Sequence, residues 1–347
     1  MCANELEPAE ENQCPFGAKC DPNVADTRDV FSFRRQQSRK PGRSSADNTH
    51  ATEAEHWNEV EGKLQRGERI FWRSHPRIDG HYRSRALLDG LSWRDWVPKT
   101  LGRPAAVGLE LGCGSGAELC LTRDAGTARQ MVGLDLDESR FASISGQFHP
   151  VGADIRLLAA DINTVELEPN SYELIYSLMS FHHFESLERI MDQVSAALTS
   201  DGFFILDEYV GPARFQWTEA QMAITNQVLG IMPRQFRLYQ NGTEKREEGR
   251  PAVADVIRLC PSESIRSNEI VPLFHRFFDV VHEKRLGGTI QHLLYNGIVQ
   301  NLPDNDEFTD HMIDSIDALE QTLISSGYLT SDFVLLVGRK RGSRGSI

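Results

Sequence analysis

One strand-like segment followed by three glycines constrains the fold of this chain more than any other feature. Residues 107–116 read Val-Gly-Leu-Glu-Leu-Gly-Cys-Gly-Ser-Gly, so Gly112, Gly114 and Gly116 come directly after an apolar run. Glycine lets the backbone turn tightly and approach a ligand closely, because it has no Cβ atom. A helix that begins at such a turn offers unpaired N–H groups and its positive dipole end to a polar ligand. The segment therefore predicts a strand–turn–helix unit with a ligand at the turn.

The chain from residue 105 onwards alternates strand-like and helix-like segments, which is typical of βαβ units around a parallel sheet. An amphipathic helix is predicted over 187–198, where apolar residues recur at helical spacing and Gly202 follows the end. The predicted strands are 106–111, 130–134, 156–159, 172–176 and 202–206, with two further strands at 278–281 and 333–337. Together these segments predict an α/β fold.

The composition argues against nucleic-acid and membrane partners. The chain has 50 Asp and Glu against 37 Lys and Arg, a formal charge of −13, whereas proteins that bind phosphate backbones are usually basic. No apolar run approaches the ~18–20 residues of a membrane-spanning helix, and the acidic N-terminus lacks the apolar core of a secretory signal. We therefore expect a cytoplasmic protein in which Cys14 and Cys20 are reduced thiols, with no metal site.

The sequence before the first strand divides into two parts. Residues 1–50 are polar and without periodicity, which predicts a disordered tail. Residues 51–100 supply clustered apolar and aromatic side chains and predict a helical leader, in which 83–96 forms one helix or two.

The glycine segment by itself leaves two cofactors open. As Gly112-x-Gly114-x-x-Ala117, with Asp135 about 20 residues further on, it fits the dinucleotide fingerprint of a nicotinamide-dependent oxidoreductase. With Glu110 in front it reads E-x-G-x-G-x-G, which resembles the first motif of the class I S-adenosylmethionine-dependent methyltransferases. Both cofactors contain adenosine, so the glycine segment cannot distinguish them, and the choice between them depends on later segments of the sequence.

Those later segments favour the methyltransferase resemblance, which covers residues 93–206. Asp135 follows the second strand, Asp161 and Ile162 follow the third, and 171–176 and 202–208 are similar to the family's fourth and fifth strands. The resemblance implies a Rossmann-like, seven-stranded and mostly parallel sheet with helices on both faces and an antiparallel last strand. It also implies that 101–347 form the methyltransferase domain and that S-adenosylmethionine is the cofactor. The implied cofactor-binding residues are Glu110, Gly112, Cys113, Gly114, Gly116, Asp135, Leu136, Asp161 and Ile162.

The acceptor side is less constrained, and we expect a small metabolite or natural product. The segments 208–217 and 287–292 resemble a bacterial subgroup that methylates small molecules, and the insertion 211–275 is expected to form part of the acceptor site. Candidate bases are Glu208, His182, His183 and His292, because carboxylates and imidazoles can accept an acceptor's proton. Candidate acceptor-binding residues are Arg214, Trp217 and Tyr295. A homodimer is compatible with the sequence, and a non-catalytic S-adenosylmethionine-binding regulator stays open beside the oxidoreductase.

Overall fold

A single seven-stranded sheet organises the residues that the computed structural model describes, which are 57, 59–60, 62–63, 66–138, 141 and 154–342. All of them belong to the unit Arg34–Ile347. The predicted disordered tail over 1–50, with Cys14 and Cys20, lies outside these residues. In chain order the strands are β1 (Ala105–Leu111), β2 (Ala128–Asp135), β3 (Ile155–Ala159), β4 (Tyr172–Leu178), β5 (Leu198–Tyr209), β6 (Phe278–Gly287) and β7 (Phe333–Lys340).

The strand order identifies the topology. Side by side the strands run β3-β2-β1-β4-β5-β7-β6. The first five in that order pair in parallel, whereas β7 is antiparallel to both β5 and β6. The predicted seven-stranded, mostly parallel sheet with an antiparallel last strand is confirmed. Because β1, β2, β4 and β5 point the same way, their carboxyl ends meet at one edge, where open α/β sheets bind ligands.

Along the chain, helices precede and connect the strands of the sheet. They are α1 (Pro76–Arg85), α2 (Trp93–Leu101), α3 (Ala117–Asp124), α4 (Leu187–Ala197), α5 (Glu219–Ile231), α6 (Val253–Leu259), α7 (Ile270–Phe277), α8 (Gln291–Tyr295) and α9 (Glu307–Ser325). The apolar stripe of α4 is buried, as its periodicity predicted. None of the described helices combines the length and the apolar character that a membrane span requires.

The leader contains two helices whose bounds differ from the predicted 83–96. Helix α1 begins at Pro76, where the fixed φ of proline suits the first turn, and α2 ends at Leu101. The break between them contains Asp89 and Gly90 with φ of 49° and 80°, a left-handed conformation that no α-helix accommodates. Ser92 then caps α2 by accepting a hydrogen bond from the backbone N–H of Asp95.

A glycine pair after β6 forms a turn that a buried carboxylate holds. Gly287 and Gly288 have φ of 90° and 80°. Glu320 of α9, which is fully buried, accepts hydrogen bonds from the backbone N–H groups of Gly288, Ile290 and Gln291. This contact satisfies the unpaired donors at the start of α8 and gives the 287–292 motif a structural role.

Candidate functional site

A cavity of about 640 Å³ lies at the carboxyl edge of the sheet, bordered by residues that follow β1, β2, β3 and β4. It has the volume of a small-molecule site. All of the predicted cofactor residues except Gly116 line it: Glu110, Gly112, Cys113, Gly114, Asp135, Leu136, Asp161 and Ile162. The structure thus brings together groups from three separate strand ends, as the parallel sheet requires.

The glycine turn needs glycine for steric as well as conformational reasons. Gly112, Gly114 and Gly116 have φ of 72°, 53° and 77°. A Cβ on Gly112 would lie 2.6 Å from the Cβ of Ser180, whose hydroxyl donates to the carbonyl of Gly112 at 2.9 Å. Gly116 does not line the cavity. It is the N-cap residue of α3, and its positive φ allows the helix to begin there. The turn therefore presents bare backbone to the cavity.

Asp135 ends β2 with its carboxylate held beside the glycine turn. Its Oδ2 accepts the backbone N–H of Gly114 at 2.7 Å, and its Oδ1 accepts the backbone N–H of Asp137 at 3.2 Å. The side chain is 8% exposed, and the residue lines the cavity. A carboxylate has about four acceptor positions, so Asp135 retains the capacity to accept the hydroxyl protons of a ligand.

Glu110 lies at the end of β1, on the same cavity wall. Burial raises the pKa of Glu110 well above its usual range, although the hydroxyl of Tyr176 donates a hydrogen bond to its Oε2 at 3.0 Å. A carboxyl group in such surroundings holds its proton at higher pH than an exposed glutamate and can then donate a hydrogen bond into the cavity.

A short 3₁₀ turn (Phe181–His183) after β4 carries the histidine pair, and Glu208 holds this turn. Glu208 is fully buried at the end of β5 and accepts hydrogen bonds from the backbone N–H groups of Ser180 and Phe181. Its other oxygen lies 2.7 Å from Nδ1 of His182. Glu208 does not line the cavity, so its carboxylate positions the turn instead of facing a bound acceptor.

The loop 260–265, inside the predicted insertion, places a second carboxylate against the histidines. Glu263 lies with its Oε1 3.6 Å from Nε2 of His182 and its Oε2 3.9 Å from Nε2 of His183. Burial by itself lowers the pKa of His182, but Glu208 and Glu263 outweigh it and raise the pKa above its usual value. Burial opposes ionisation of Glu263, yet the charges of His183 and His182 lower its pKa. The sequence analysis missed Glu263, because only tertiary packing brings this loop to β4.

Arg214 supports the same loop from outside the cavity. Its guanidinium donates to the carbonyl oxygens of Pro261 and Glu263 at 2.6 and 3.0 Å, and its backbone N–H donates to the carbonyl of Ser264 at 2.8 Å. Arg214 was predicted to bind the acceptor, but it does not line the cavity, and its guanidinium donates to loop carbonyls instead. Arg214 therefore fixes the loop that carries Glu263.

The remaining predicted residues do not line this cavity. Tyr295 is fully buried in the hydrophobic core, and Trp217 is stacked on Phe215 with ring centroids 5.5 Å apart. His292 packs among aromatic rings that include Tyr209 and Trp217. Burial lowers the pKa of His292 to about 4, so the ring is neutral at neutral pH. The structure does not bring these three residues together with the cavity.

The cavity is also lined by residues that the sequence analysis did not assign to the cofactor. The ring of Trp57 contacts His183 edge-on, with centroids 5.4 Å apart. In the sequence, the aromatic and apolar residues of the leader were the available signal for this part of the site, but they predicted only that helices pack there. These additional lining residues are Trp57, Val60, Phe71, Met179, Ser180, His183, Phe184, Glu185, Pro261, Ser262 and Ile265.

Comparisons with known proteins place the strand-and-glycine region in one family. A family model described as a methyltransferase domain matches residues 109–206. No curated protein matches the chain.

Three solved structures are similar over most of the chain. An S-adenosylmethionine-dependent methyltransferase from Mesorhizobium loti is 19% identical, with 76% of this chain and 100% of that chain covered and a TM-score of 0.43. Phosphoethanolamine N-methyltransferase 2 from Haemonchus contortus is 14% identical, with 75% and 56% covered and a TM-score of 0.44. Geranyl diphosphate C-methyltransferase from Streptomyces coelicolor A3(2) is 9% identical, with 71% and 76% covered and a TM-score of 0.43.

The functional assignment of this region depends on the domain match and the motif residues, and not on these distant structures. The match begins within β1 and ends within β5, and it spans the glycine turn, Asp135 and Asp161. It favours methyl transfer over the hydride transfer that the dinucleotide fingerprint left open. Residues 109–206 of this chain therefore match a methyltransferase domain, in agreement with the class I S-adenosylmethionine-dependent methyltransferase resemblance of the sequence.

Proposed function

We propose that this chain transfers a methyl group from S-adenosylmethionine to a small molecule bound in the same cavity. One observation carries the proposal. A single cavity of about 640 Å³ is lined both by the glycine turn, Asp135 and Asp161 and by Trp57, His183 and residues of the loop 260–265. Cofactor-type and acceptor-type surroundings are thus continuous, as a direct transfer requires.

The donor side fits the cofactor by shape and by hydrogen-bonding chemistry. Gly112 and Gly114 line the cavity without side chains, so cofactor atoms can approach the backbone of the turn. Asp135 would accept the ribose hydroxyl protons, while Asp161 and Ile162 would hold the adenine. When bound, the cofactor supplies a methyl group on a positively charged sulfur, which is already activated for transfer.

The acceptor side fits a compact and partly apolar molecule. Trp57, Val60, Phe71 and Ile265 enclose it and would exclude water, while His183 and Ser262 supply polar atoms. The protein's main contribution would be to hold the acceptor in line with the methyl group, an effect worth about 7–11 kcal/mol in favourable systems. Among the predicted bases only His183 lines the cavity, while His182 is buried beside it and bonded to Glu208, which acts as a positioning residue.

Calorimetric titration with S-adenosylhomocysteine tests the donor side. The full chain should bind it, and Asp135→Ala should weaken binding at least tenfold, because about 1.5–3 kcal/mol is lost with a hydrogen bond to a charged group. Asp201→Asn, at an exposed position on β5, is the matched control and should bind normally. Absence of binding by the unaltered chain would refute the proposal.

A second measurement separates an enzyme from a non-catalytic regulator. Pools of metabolites are incubated with the chain and S-adenosylmethionine, and release of S-adenosylhomocysteine is recorded. We expect at least one pool to stimulate release, and Asp135→Ala to reduce it. Cofactor binding with no stimulated release from any pool would support the regulatory alternative.

A further inference from the structure

We propose that His182, His183 and Glu263 bind a divalent transition-metal ion at the acceptor end of the cavity. Each residue offers one ligand atom, and these atoms all lie within 4.8 Å of one another. The two distances from imidazole Nε2 atoms to the Glu263 carboxylate are 3.6 and 3.9 Å. Such distances are too long for good hydrogen bonds. They suit two ligands of one ion, because atoms bonded to it at about 2.0–2.2 Å lie roughly 3–4 Å apart.

The other nitrogen of each imidazole is already anchored. Nδ1 of His182 lies 2.7 Å from Oε2 of Glu208, and Nδ1 of His183 lies 2.9 Å from the hydroxyl of Ser262. Histidines that ligate metals nearly always make such a contact through the nitrogen that does not ligate, since it fixes the tautomer and the ring orientation. Both contacts turn the Nε2 atoms toward Glu263. The arrangement is therefore organised before any ion binds.

The loop that carries Glu263 is tied down on both sides. The backbone N–H of Ile265 donates to the carbonyl of His182 at 3.2 Å, and Arg214 holds the carbonyl of Glu263 from the other side. Ser264 is fully buried with φ of 48°, a costly conformation for a residue with a side chain. These contacts fix the third ligand relative to the histidine turn.

The ligand set indicates the class of ion. Two imidazoles and one carboxylate suit zinc, iron, cobalt or nickel, whereas magnesium and calcium prefer oxygen ligands. Three protein ligands leave a coordination position open, as in catalytic metal sites. The cluster borders the cavity through His183, and Ser262, which contacts Nδ1 of His183, also lines the cavity. An acceptor oxygen or nitrogen would complete the coordination; this last step rests on the proposed function, whereas metal binding does not.

Titration of the metal-stripped full chain with zinc alone tests the site. We expect one zinc ion per chain, with Glu263→Gln and His183→Ala each weakening binding more than tenfold and Glu208→Gln weakening it 10–100-fold. Cobalt replaces zinc in a second titration, in which visible absorption bands should appear with the unaltered chain and be lost in Glu263→Gln. Two ligand variants are used so that a folding defect in one leaves the other to decide.

The controls separate this site from other sources of zinc binding. His311 is exposed on α9, and Cys14 and Cys20 are not among the three proposed ligands, so His311→Ala and the double variant Cys14→Ser/Cys20→Ser should bind zinc normally. Undiminished binding by both ligand variants, loss of binding in the cysteine variant, or no binding by the unaltered chain would each overturn the proposal. S-adenosylhomocysteine titration of the same samples should be unaffected by Glu263→Gln. Failure of that titration in the unaltered chain would refute the proposed function and leave zinc binding intact.

Discussion

Replacing His292 with phenylalanine should remove a specific acid sensitivity of the fold. His292 packs against Tyr209, Trp217 and Phe333, and its Nδ1 has no hydrogen-bond partner among the described residues. Protonation would place a charge and a second N–H group in this aromatic surrounding. Burial accordingly lowers the pKa of His292 to about 4, whereas an unfolded histidine titrates near 6.5.

The sign and the size of the effect follow from linkage. Between about pH 6.5 and pH 4 the unfolded chain binds a proton at His292 and the folded chain does not, so the free energy of unfolding falls as the pH falls. The difference between about 6.5 and about 4, at about 1.4 kcal/mol for each pH unit, amounts to about 3 kcal/mol. About 2 kcal/mol of this is lost between pH 7 and pH 5.

Urea unfolding at pH 7 and pH 5 measures this loss. Phenylalanine keeps the ring and does not titrate, so His292→Phe should lose about 2 kcal/mol less than the unaltered chain between these pH values. His311→Gln, at an exposed position on α9, is the matched control and should behave like the unaltered chain. Equal losses in His292→Phe and the unaltered chain would show that His292 is not held neutral by burial.

Three further predictions address the turn, the positioning carboxylate and a surface ion pair. Gly112→Ala should destabilise the fold more than Gly126→Ala in thermal unfolding; both residues have positive φ, at 72° and 70°, but only at Gly112 would a Cβ clash. Equal effects would contradict the steric argument. Glu208→Gln should cost about 1–3 kcal/mol in urea unfolding, since an amide cannot accept every N–H group that the carboxylate accepts; unchanged stability would contradict this. The Arg266 guanidinium lowers the pKa of Glu188 to about 2. Because Glu188 is half-exposed, this ion pair stabilises the fold by less than about 1 kcal/mol, and that stabilisation is lost as the pH falls from about 4.5 toward 2. Glu188→Gln should show a smaller loss over that range than the unaltered chain, and an identical loss would contradict the pairing.

The cofactor side could be predicted from the sequence because its residues adjoin strand ends. Apolar runs predict the strands, and parallel strands bring their carboxyl ends to one edge, so Gly112, Asp135 and Asp161 had to lie near one another. Strand β6 was harder to delimit. It was predicted to end at 281 but continues to Gly287, and its later residues include Glu283, Lys284 and Arg285. Charged side chains are common on an edge strand and conceal its alternation of apolar and polar residues.

The acceptor side depended on contacts between distant parts of the chain. Glu263 faces the histidines because Arg214 and the backbone of His182 hold its loop, and no local periodicity encodes those contacts. Tyr295 follows a motif that suggested a site, yet packing buries it in the core. His292, the last residue of that motif, packs among aromatic rings and does not line the cavity.

Local sequence thus determined the strands, the glycine turn and the family, since each depends on residues close in the chain. The convergence of His182, His183 and Glu263 was decided by tertiary structure alone, because it arises only when a loop after α6 packs against the turn after β4.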